Sequence, residues 1–260
     1  PVAPARERRL LSPLAADRPA VGSVSFTIPA FNESDCVDEV IRRCLATLDR
    51  LRIGGEVVIV DDASTDDTAR RVEQASERDE RVRLIRSEEN VGPQLCIAQA
   101  MLAMRSDAAF AIPCDLQVLP EALADCLPAI ERADLVMADR RPRAEGPSRR
   151  AMAGAFNAVV RHVLGVPVHD VDSSFLARRA LVERVVPTLV SRSDFLQAEM
   201  LARAAEAGYT IVEVRVPHHP RPGGRASAIT PRLVLRTFAD LARLAGELRR
   251  SRARAGTAGS

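Results

Sequence analysis

Apolar residues recur along this chain in two patterns: short continuous runs and longer stretches with helical spacing. In the first 140 residues the continuous runs predict five strands, at 23–28, 56–60 and 82–85, from Phe110, and at 134–138. The stretches between them repeat apolar residues every three or four positions, which predicts helices. This alternation of strand and helix indicates an α/β fold with a mostly parallel sheet and right-handed crossovers.

The second half of the chain has a less regular pattern. Helices are predicted at 149–164 and 195–207, a short strand at Phe175, an alternating strand at 209–216 and a basic amphipathic helix at 232–249. We expect a disordered leader at 1–22, a main domain at 23–228, a C-terminal amphipathic helix at 229–250 and a disordered tail at 251–260.

Polar residues follow three of the predicted strands at the point where each one ends. These are Asn32-Glu33, Asp61-Asp62 and Asp115 with Gln117. Because ligands of open α/β sheets bind outside the carboxyl ends of the strands, we expect a polar crevice there. Asp115 and Gln117 offer the hard oxygen ligands that Mg²⁺ or Mn²⁺ accepts beside substrate phosphates.

Composition narrows the functional classes. The 37 basic and 35 acidic residues leave a net charge of +2, which does not favour a nucleic-acid partner. Five cysteines without paired spacing favour a reducing, cytoplasmic location over a disulfide framework. No run of 18 apolar residues occurs, so we expect no transmembrane segment.

Six short motifs occur in one order along the chain. They are Ile28-Pro29-Ala30-Phe31-Asn32-Glu33, Val60-Asp61-Asp62-Ala63-Ser64-Thr65-Asp66-Asp67-Thr68, Asn90-Val91-Gly92, Asp115-Leu116-Gln117 with Pro120-Glu121, Asp170-x-x-Ser173-x-Phe175, and Gly208-Tyr209-x-Ile211-x-Glu213-Val214 with Arg221-x-x-Gly224. With these motifs the chain resembles the inverting family-two glycosyltransferases of the GT-A (Rossmann-like) fold. It is most similar to polyprenyl-phosphate sugar synthases of the dolichol-phosphate mannose synthase type.

The resemblance implies a transferase that moves a sugar from a UDP- or GDP-linked donor, with inversion, to a small soluble molecule or a polyprenyl phosphate. It implies that Pro29, Phe31, Glu33, Asp61 and Asp62 hold the nucleotide. Carboxylates suit this role because they accept hydrogen bonds from base N–H groups and ribose hydroxyls.

The resemblance also implies where the reacting groups lie. Asp115 would hold Mg²⁺ or Mn²⁺ with Gln117 as a further ligand, and Asp115, Asp170 and Arg140 would form the catalytic set. Four further arginines, Arg149, Arg150, Arg221 and Arg225, would bind the acceptor or phosphate groups.

Three departures from the family pattern leave alternatives open. Pro113 stands where the family has the first Asp of its metal motif, so a nucleotide-sugar-binding protein with weak or no catalysis is the second interpretation. Leu176 stands where the family has an Arg, and Ala226-Ser227 stands where it has Ser-Lys. Both departures lie near the expected acceptor phosphate and argue against a lipid acceptor. A dinucleotide oxidoreductase is disfavoured because no G-x-G-x-x-G motif occurs.

Two further questions remain open from sequence. A hydroxyl acceptor needs a general base, for which Asp170, Asp172, Asp194 and Glu199 are the candidates, whereas an ionised phosphate acceptor needs none. The helix at 232–249 could contact the inner membrane face peripherally or pack against the domain.

Overall fold

The computed structural model describes residues 18–140, 147–166, 168–193, 195–220, 237 and 239–250, with the backbone alone at 147–156. Strands are β1 (Ser23–Ala30), β2 (Gly54–Asp61), β3 (Val82–Arg86), β4 (Ala108–Ala111), β5 (Leu135–Asp139), β6 (Phe175–Arg178) and β7 (Ile211–Arg215). Helices are α1 (Val37–Leu51), α2 (Thr68–Arg78), α3 (Pro93–Leu102), α4 (Leu123–Ile130), α5 (Pro147–Leu164), α6 (Arg179–Val185) and α7 (Leu196–Glu206). A further helix covers 239–250.

The seven strands form one sheet in the order β3-β2-β1-β4-β6-β5-β7. Neighbouring strands are parallel except at β6, which runs antiparallel to both β4 and β5. The predicted α/β fold with a mostly parallel sheet is therefore confirmed. The carboxyl ends of the six parallel strands and the amino end of β6 share one edge of the sheet.

Helices cover both faces of this sheet, and each face has its own core. Phe26 and Ile28 of β1 face α1 and α4, whose buried residues include Val40 and Leu123. On the opposite face, side chains of β4 and β5 such as Met137 pack against α3, α5, α6 and α7. Because the strands are buried on both sides, their sequences are continuous apolar runs, which is why the alternation was readable from sequence.

Several predicted boundaries differ from the structure. The strand predicted at 56–60 is longer in the structure, because Gly54 and Gly55 open β2 and Asp61 ends it. The strand predicted from Phe110 begins earlier, at Ala108, and ends at Ala111, before the apolar run ends. α6 was not predicted, since its seven residues show too few helical repeats to be recognised.

Residues 18–22, assigned to the leader from sequence, pack into the domain. Arg18 forms a bidentate ion pair with Asp134 at 2.9 Å for both contacts, and Val21 is buried. The buried Arg178 donates to the Pro19 carbonyl at 2.6 Å. The packed domain therefore includes residues 18–22.

The C-terminal helix lies against the second core. Leu241, Leu244 and Leu248 are buried among the residues of α7 and its neighbours. This part of the apolar stripe is thus covered by the domain, which favours packing over a free membrane-facing surface for 239–250. Within the described part of the chain, no helix has the length and apolar character needed to cross a membrane.

Among the glycines that the structure describes, Gly55 is the one at which an added side chain would clash most severely. A Cβ there would lie 2.1 Å from the Val24 carbonyl oxygen, and the residue has φ of +155°. We expect Gly55→Ala to lower the free energy of unfolding by about 2 kcal/mol or more, as overpacking of a rigid backbone does. Gly154→Ala, where nothing lies within 4 Å, is the control and should stabilise the helix by up to about 1 kcal/mol. Urea unfolding would measure both, and equal midpoints would contradict the expected clash.

Candidate functional site

The polar residues that follow the strands are brought to one edge of the sheet. Ala30 pairs with Asp61 across β1 and β2, so the two strands end level with each other. The Ile112 amide donates to the Thr27 carbonyl at 3.2 Å, which places the segment leading to Asp115 beside the end of β1. The polar residues that follow β1, β2 and β4 therefore lie at neighbouring strand ends.

The loops after β1 and β2 are locked together by reciprocal hydrogen bonds. The Asn32 amide donates to Ser64 Oγ at 2.9 Å, and the Thr65 amide donates to Asn32 Oδ1 at 2.8 Å. The Glu33 amide donates to Thr68 Oγ1 at 2.9 Å. The two loops therefore form one preorganised platform at the end of the sheet.

Asp66 completes this platform. Its carboxylate accepts from the Ser34 amide at 3.2 Å and from the Thr68 amide at 2.9 Å. Burial alone would raise the pKa of Asp66, but the hydrogen bonds from Thr68 and Ser34 lower that pKa below its ordinary value. Asp66 thus stays ionised and fastens the start of α1 to the start of α2.

The adjacent residues Asp61 and Asp62 have different surroundings. Asp61 is 1% exposed, its Oδ2 accepts from the Ser64 amide at 3.3 Å, and its Oδ1 has no protein partner in the described part of the chain. Asp62 accepts from the Val91 amide at 2.7 Å and from the Gly92 amide at 2.9 Å. Asp61 therefore has unused acceptor capacity, whereas both oxygens of Asp62 already hold the loop before α3.

The other residues predicted to hold a nucleotide lie on the same platform. Pro29 is buried within β1, beside Val60. Phe31 is 46% exposed, which is unusual for a large apolar side chain. The Glu33 backbone is fixed because its carbonyl accepts from the amides of Cys36 and Val37.

Strained backbone marks the ends of three neighbouring strands. Asn32 after β1, Ala63 after β2 and Leu116 after β4 have φ of 55°, 58° and 58°. Left-handed conformations of residues other than glycine are uncommon and cluster at functional sites. All three lie on the edge that carries the candidate residues.

Leu116 turns the chain between the two candidate metal ligands. Asp115 is 9% exposed, and its Oδ1 accepts from the Gln117 amide at 3.0 Å. The Gln117 carbonyl accepts from the His219 amide at 2.9 Å, which ties the loop after β4 to the segment after β7. The Asp115 loop is therefore held from two sides.

The described residues contain no cluster of three or more His, Cys, Asp or Glu side chains arranged to hold a metal ion. Asp115 and Gln117 nevertheless fit a hard divalent cation that takes its remaining ligands from water and a diphosphate. Mg²⁺ in nucleotide enzymes is bound in this way, through one or two carboxylates and substrate phosphates.

Arg140 and Asp170 meet at the same edge in a buried ion pair. Arg140 Nε lies 2.9 Å from Asp170 Oδ2, and Arg140 Nη2 lies 3.2 Å from Asp170 Oδ1. Arg140 also donates to the Asp172 carbonyl. The side chains are 14% and 3% exposed. Asp170 therefore holds Arg140 in place, and abstraction of a proton by its carboxylate would compete with this bidentate contact.

The other candidate bases differ from Asp170 in their exposure and in their partners. Asp172 is exposed and accepts from Gln94 Nε2 at 3.3 Å. Glu199 is fully buried and contacts Arg203 at 2.6 Å and Arg243 at 3.3 Å. Burial alone would raise the pKa of Glu199, but hydrogen bonds from Ser191 and Arg203 lower it. Glu199 thus belongs to a structural ion-pair network. Asp194 lies outside the described residues.

The side-chain contacts of the four arginines predicted to bind the acceptor or phosphate groups are not described. Arg149 and Arg150 lie in α5, where only the backbone is described, and Arg221 and Arg225 lie outside the described residues. Their roles remain predictions.

The structure adds two groups of residues that the site prediction did not include. The hydroxyls of Ser173 and Ser174 are buried without a protein partner in the described chain, at the amino end of β6. Glu213 of β7 holds the turn at His169. Glu213 belongs to the sixth sequence motif, but the resemblance gave it no role in the site.

A cavity lies elsewhere, between α1 and α2. Its volume is ≈ 540 Å³, and its lining includes Ile41, Leu45, Arg71 and Arg78. Arg71 is already paired with Asp38 at 2.5 Å. The cavity holds none of the predicted site residues.

A family model, "Glycosyl transferase family 2", matches residues 25–185, a span that contains the platform, the Asp115 loop and the Arg140–Asp170 pair. The chain belongs to glycosyl transferase family 2. The recognition made from the six motifs is thereby confirmed.

Relatives of this family-two chain include two proteins described as undecaprenyl-phosphate 4-deoxy-4-formamido-L-arabinose transferase. The Pseudomonas aeruginosa (strain LESB58) protein is 32% identical over 217 residues, covering 81% of this chain and 62% of its own length. The Edwardsiella ictaluri (strain 93-146) protein is 26% identical over 215 residues, covering 81% and 64%. The chain therefore spans less than two thirds of either relative.

Solved structures of glucosyl-3-phosphoglycerate synthase from Mycobacterium tuberculosis share the fold. The complex with phosphoglyceric acid has a TM-score of 0.65 at 19% identity, covering 86% of this chain and 80% of that one. The complex with Mn²⁺, UDP-glucose and phosphoglyceric acid has a TM-score of 0.63 at 18% identity, with the same coverage. These similarities confirm the GT-A-like fold.

Proposed function

We propose that this chain is the catalytic domain of an inverting, metal-dependent glycosyltransferase. It transfers a sugar from a nucleoside diphosphate to a polyprenyl phosphate at a membrane surface. The observation that carries the proposal is the gathering of Asp61, Asp115 and the Arg140–Asp170 pair at one sheet edge. Family membership and the acceptor named in its relatives support it.

The interlocked platform binds the nucleoside in this proposal. Phe31 offers an exposed ring on which a base can stack, and Asp61 Oδ1 offers a buried acceptor for a base N–H or ribose hydroxyl. Asp62 contributes by holding the loop before α3 instead of by direct contact. In this proposal Asp62 positions the loop before α3 and does not itself contact the nucleotide.

The diphosphate lies between the Asp115 loop and Arg140. Asp115 and Gln117 would hold Mg²⁺ or Mn²⁺, which would supply positive charge where negative charge develops on the departing diphosphate. Arg140 is oriented by Asp170 and supplies a fixed positive charge to the same phosphates. Arg149, Arg150, Arg221 and Arg225 remain proposed partners of the phosphate groups.

The surroundings of two of the four candidate bases favour an acceptor that arrives ionised. Asp170 and Glu199 are both bound to arginines, so neither carboxylate is well placed to take up a proton. A phosphate monoester, with a second pKa near ~6, needs no base at neutral pH. One of its oxygens attacks the anomeric carbon as the bond to the diphosphate breaks, and the nucleoside diphosphate leaves with the electron pair.

The direct test is transfer by the purified chain. UDP- and GDP-sugars with Mn²⁺ would be offered to undecaprenyl phosphate in one arm and to 3-phosphoglycerate in the other. We expect nucleotide release and glycolipid with the lipid acceptor. Transfer to 3-phosphoglycerate alone would show that the acceptor is a small soluble phosphate and not a lipid. No nucleotide release in either arm with any donor would contradict the proposed activity.

A second candidate function is nucleotide-sugar binding without catalysis, because Pro113 removes one carboxylate from the metal motif. We expect Pro113→Asp to strengthen Mn²⁺ binding on the order of tenfold, because it adds a charged ligand beside Asp115. Pro113→Ala separates this effect from the loss of proline rigidity. Metal-dependent turnover by the wild-type chain supports the transferase, whereas turnover only in Pro113→Asp supports the binding protein.

A further inference from the structure

Glu213 holds the turn between α5 and β6 through three contacts. Its Oε1 accepts from the His169 amide at 2.6 Å and from the Asp170 amide at 3.3 Å. Its Oε2 lies 2.6 Å from His169 Nδ1. The carboxylate therefore fixes two successive residues of the turn, including the one that binds Arg140.

Other elements hold the same turn further along. Asn157 Oδ1 of α5 accepts from the Val171 amide at 3.3 Å, and Gln94 of α3 reaches the Asp172 carboxylate at 3.3 Å. The two Glu213 contacts to His169 are shorter, at 2.6 Å, and one carboxylate makes all three contacts to the turn. Glu213 therefore constrains the turn more strongly than Asn157 or Gln94 does.

This turn contributes three contacts that orient Arg140. Two are the guanidinium contacts to Asp170, and the third is the contact to the Asp172 carbonyl. A displacement of residues 169–170 would therefore disturb the orientation of Arg140. Glu213 itself has no contact with Arg140 among the interactions described.

Glu213 also stands where strand packing alone would not place a carboxylate. It lies in β7, and its side chain is 16% exposed. Val212 and Val214 face the first core, whereas Glu213 projects to the opposite side of the strand. An acidic side chain that is mostly removed from water needs compensating donors, and the turn provides them.

We infer that Glu213 is a positioning residue, which sets the place of Arg140 by holding the turn that carries Asp170. The inference rests on the proposed function, in which Arg140 binds substrate phosphates. Nothing in the six motifs or the family match assigns this role to Glu213.

A double-mutant cycle tests the inference on activity. We expect Glu213→Ala to lower kcat by about 10- to 100-fold, as misplacement of a positioned group does, with donor binding less affected. In the Arg140→Ala background, Glu213→Ala should then produce almost no further loss, because the two residues act as one unit. Glu183→Ala, an exposed glutamate of α6, is the matched control with unchanged kcat. Multiplicative losses in the double variant would overturn the inference.

A second readout does not need turnover. Hydrogen exchange at the amides of His169 and Asp170 should accelerate in Glu213→Ala and stay near the wild-type rate in Glu213→Gln, which keeps an acceptor oxygen. Unchanged protection in Glu213→Ala would overturn the inference even if the chain transferred sugar. Lost protection together with an absence of transfer in every arm would contradict the proposed function and leave the holding role of Glu213 supported.

Discussion

Replacing Asp115 with Asn is expected to lower kcat by about a thousandfold. A bound divalent ion contributes several kcal/mol of transition-state stabilisation, and about 1.4 kcal/mol corresponds to a tenfold change in rate. Asp115 is the one carboxylate of its loop, so its loss leaves Gln117 as the remaining proposed ligand. Initial rates at saturating donor and a Mn²⁺ titration would measure the effect.

The same substitution should separate metal binding from nucleoside binding. UDP alone should bind Asp115→Asn nearly as well as wild type, because Phe31 and Asp61 are untouched, but Mn²⁺ should no longer strengthen that binding. Asp125→Asn, in the exposed first turn of α4, is the matched control and should behave as wild type. A kcat within threefold of wild type for Asp115→Asn would contradict the metal assignment.

The largest effect on stability is expected at Glu199. Its carboxylate accepts from the Ser191 amide at 2.8 Å and contacts both Arg203 and Arg243, so it joins α7 to the C-terminal helix. Glu199→Ala leaves the Ser191 amide without this buried acceptor and takes one ionic partner from each arginine, although both arginines keep Glu247. Such a loss costs about 2–4 kcal/mol. We therefore expect Glu199→Ala to lower the free energy of unfolding by that amount in urea denaturation.

Glu206→Ala is the control for this substitution, because Glu206 lies in the same helix and is exposed. It should change the free energy of unfolding by no more than about 0.5 kcal/mol. Equal effects of the two substitutions would show that the network around Glu199 does not stabilise the domain.

The Glu199 contribution should also depend on pH. The pKa of Glu199 is lowered in the folded chain from its ordinary value of 4.5. The stabilisation is therefore complete above that value and is lost as pH falls through the lowered folded pKa. The difference in unfolding free energy between wild type and Glu199→Ala should be constant near neutrality and shrink in acid. A difference that grows in acid would contradict this sign.

The sequence predicted the first half of the fold well because its strands are buried on both faces. Such strands are continuous apolar runs, and the helices between them carry regular repeats. The direction of β6 could not be predicted, because a four-residue strand contains no information about its orientation. The extent of β4 was also unclear, since the apolar run continues through Ile112 after the strand ends.

The site was predictable as a set of residues and less so as a set of contacts. Strand ends identified Asp61 and Asp115, because parallel strands end at a common edge. That Asp62 binds backbone amides and that Asp170 binds Arg140 depends on tertiary packing between distant segments. Glu213 and Glu199 are both acidic residues in regular elements, and only the structure separates their roles.

We expect one edge of the sheet to bind an activated sugar through its nucleoside and its diphosphate. The structure of the chain with Mn²⁺ and a UDP- or GDP-sugar would test this binding mode most directly. The base should lie beside Phe31 and Asp61, and the diphosphate should lie at Asp115 and Arg140. A nucleotide bound in the cavity between α1 and α2, or out of reach of both Asp61 and Asp115, would contradict it.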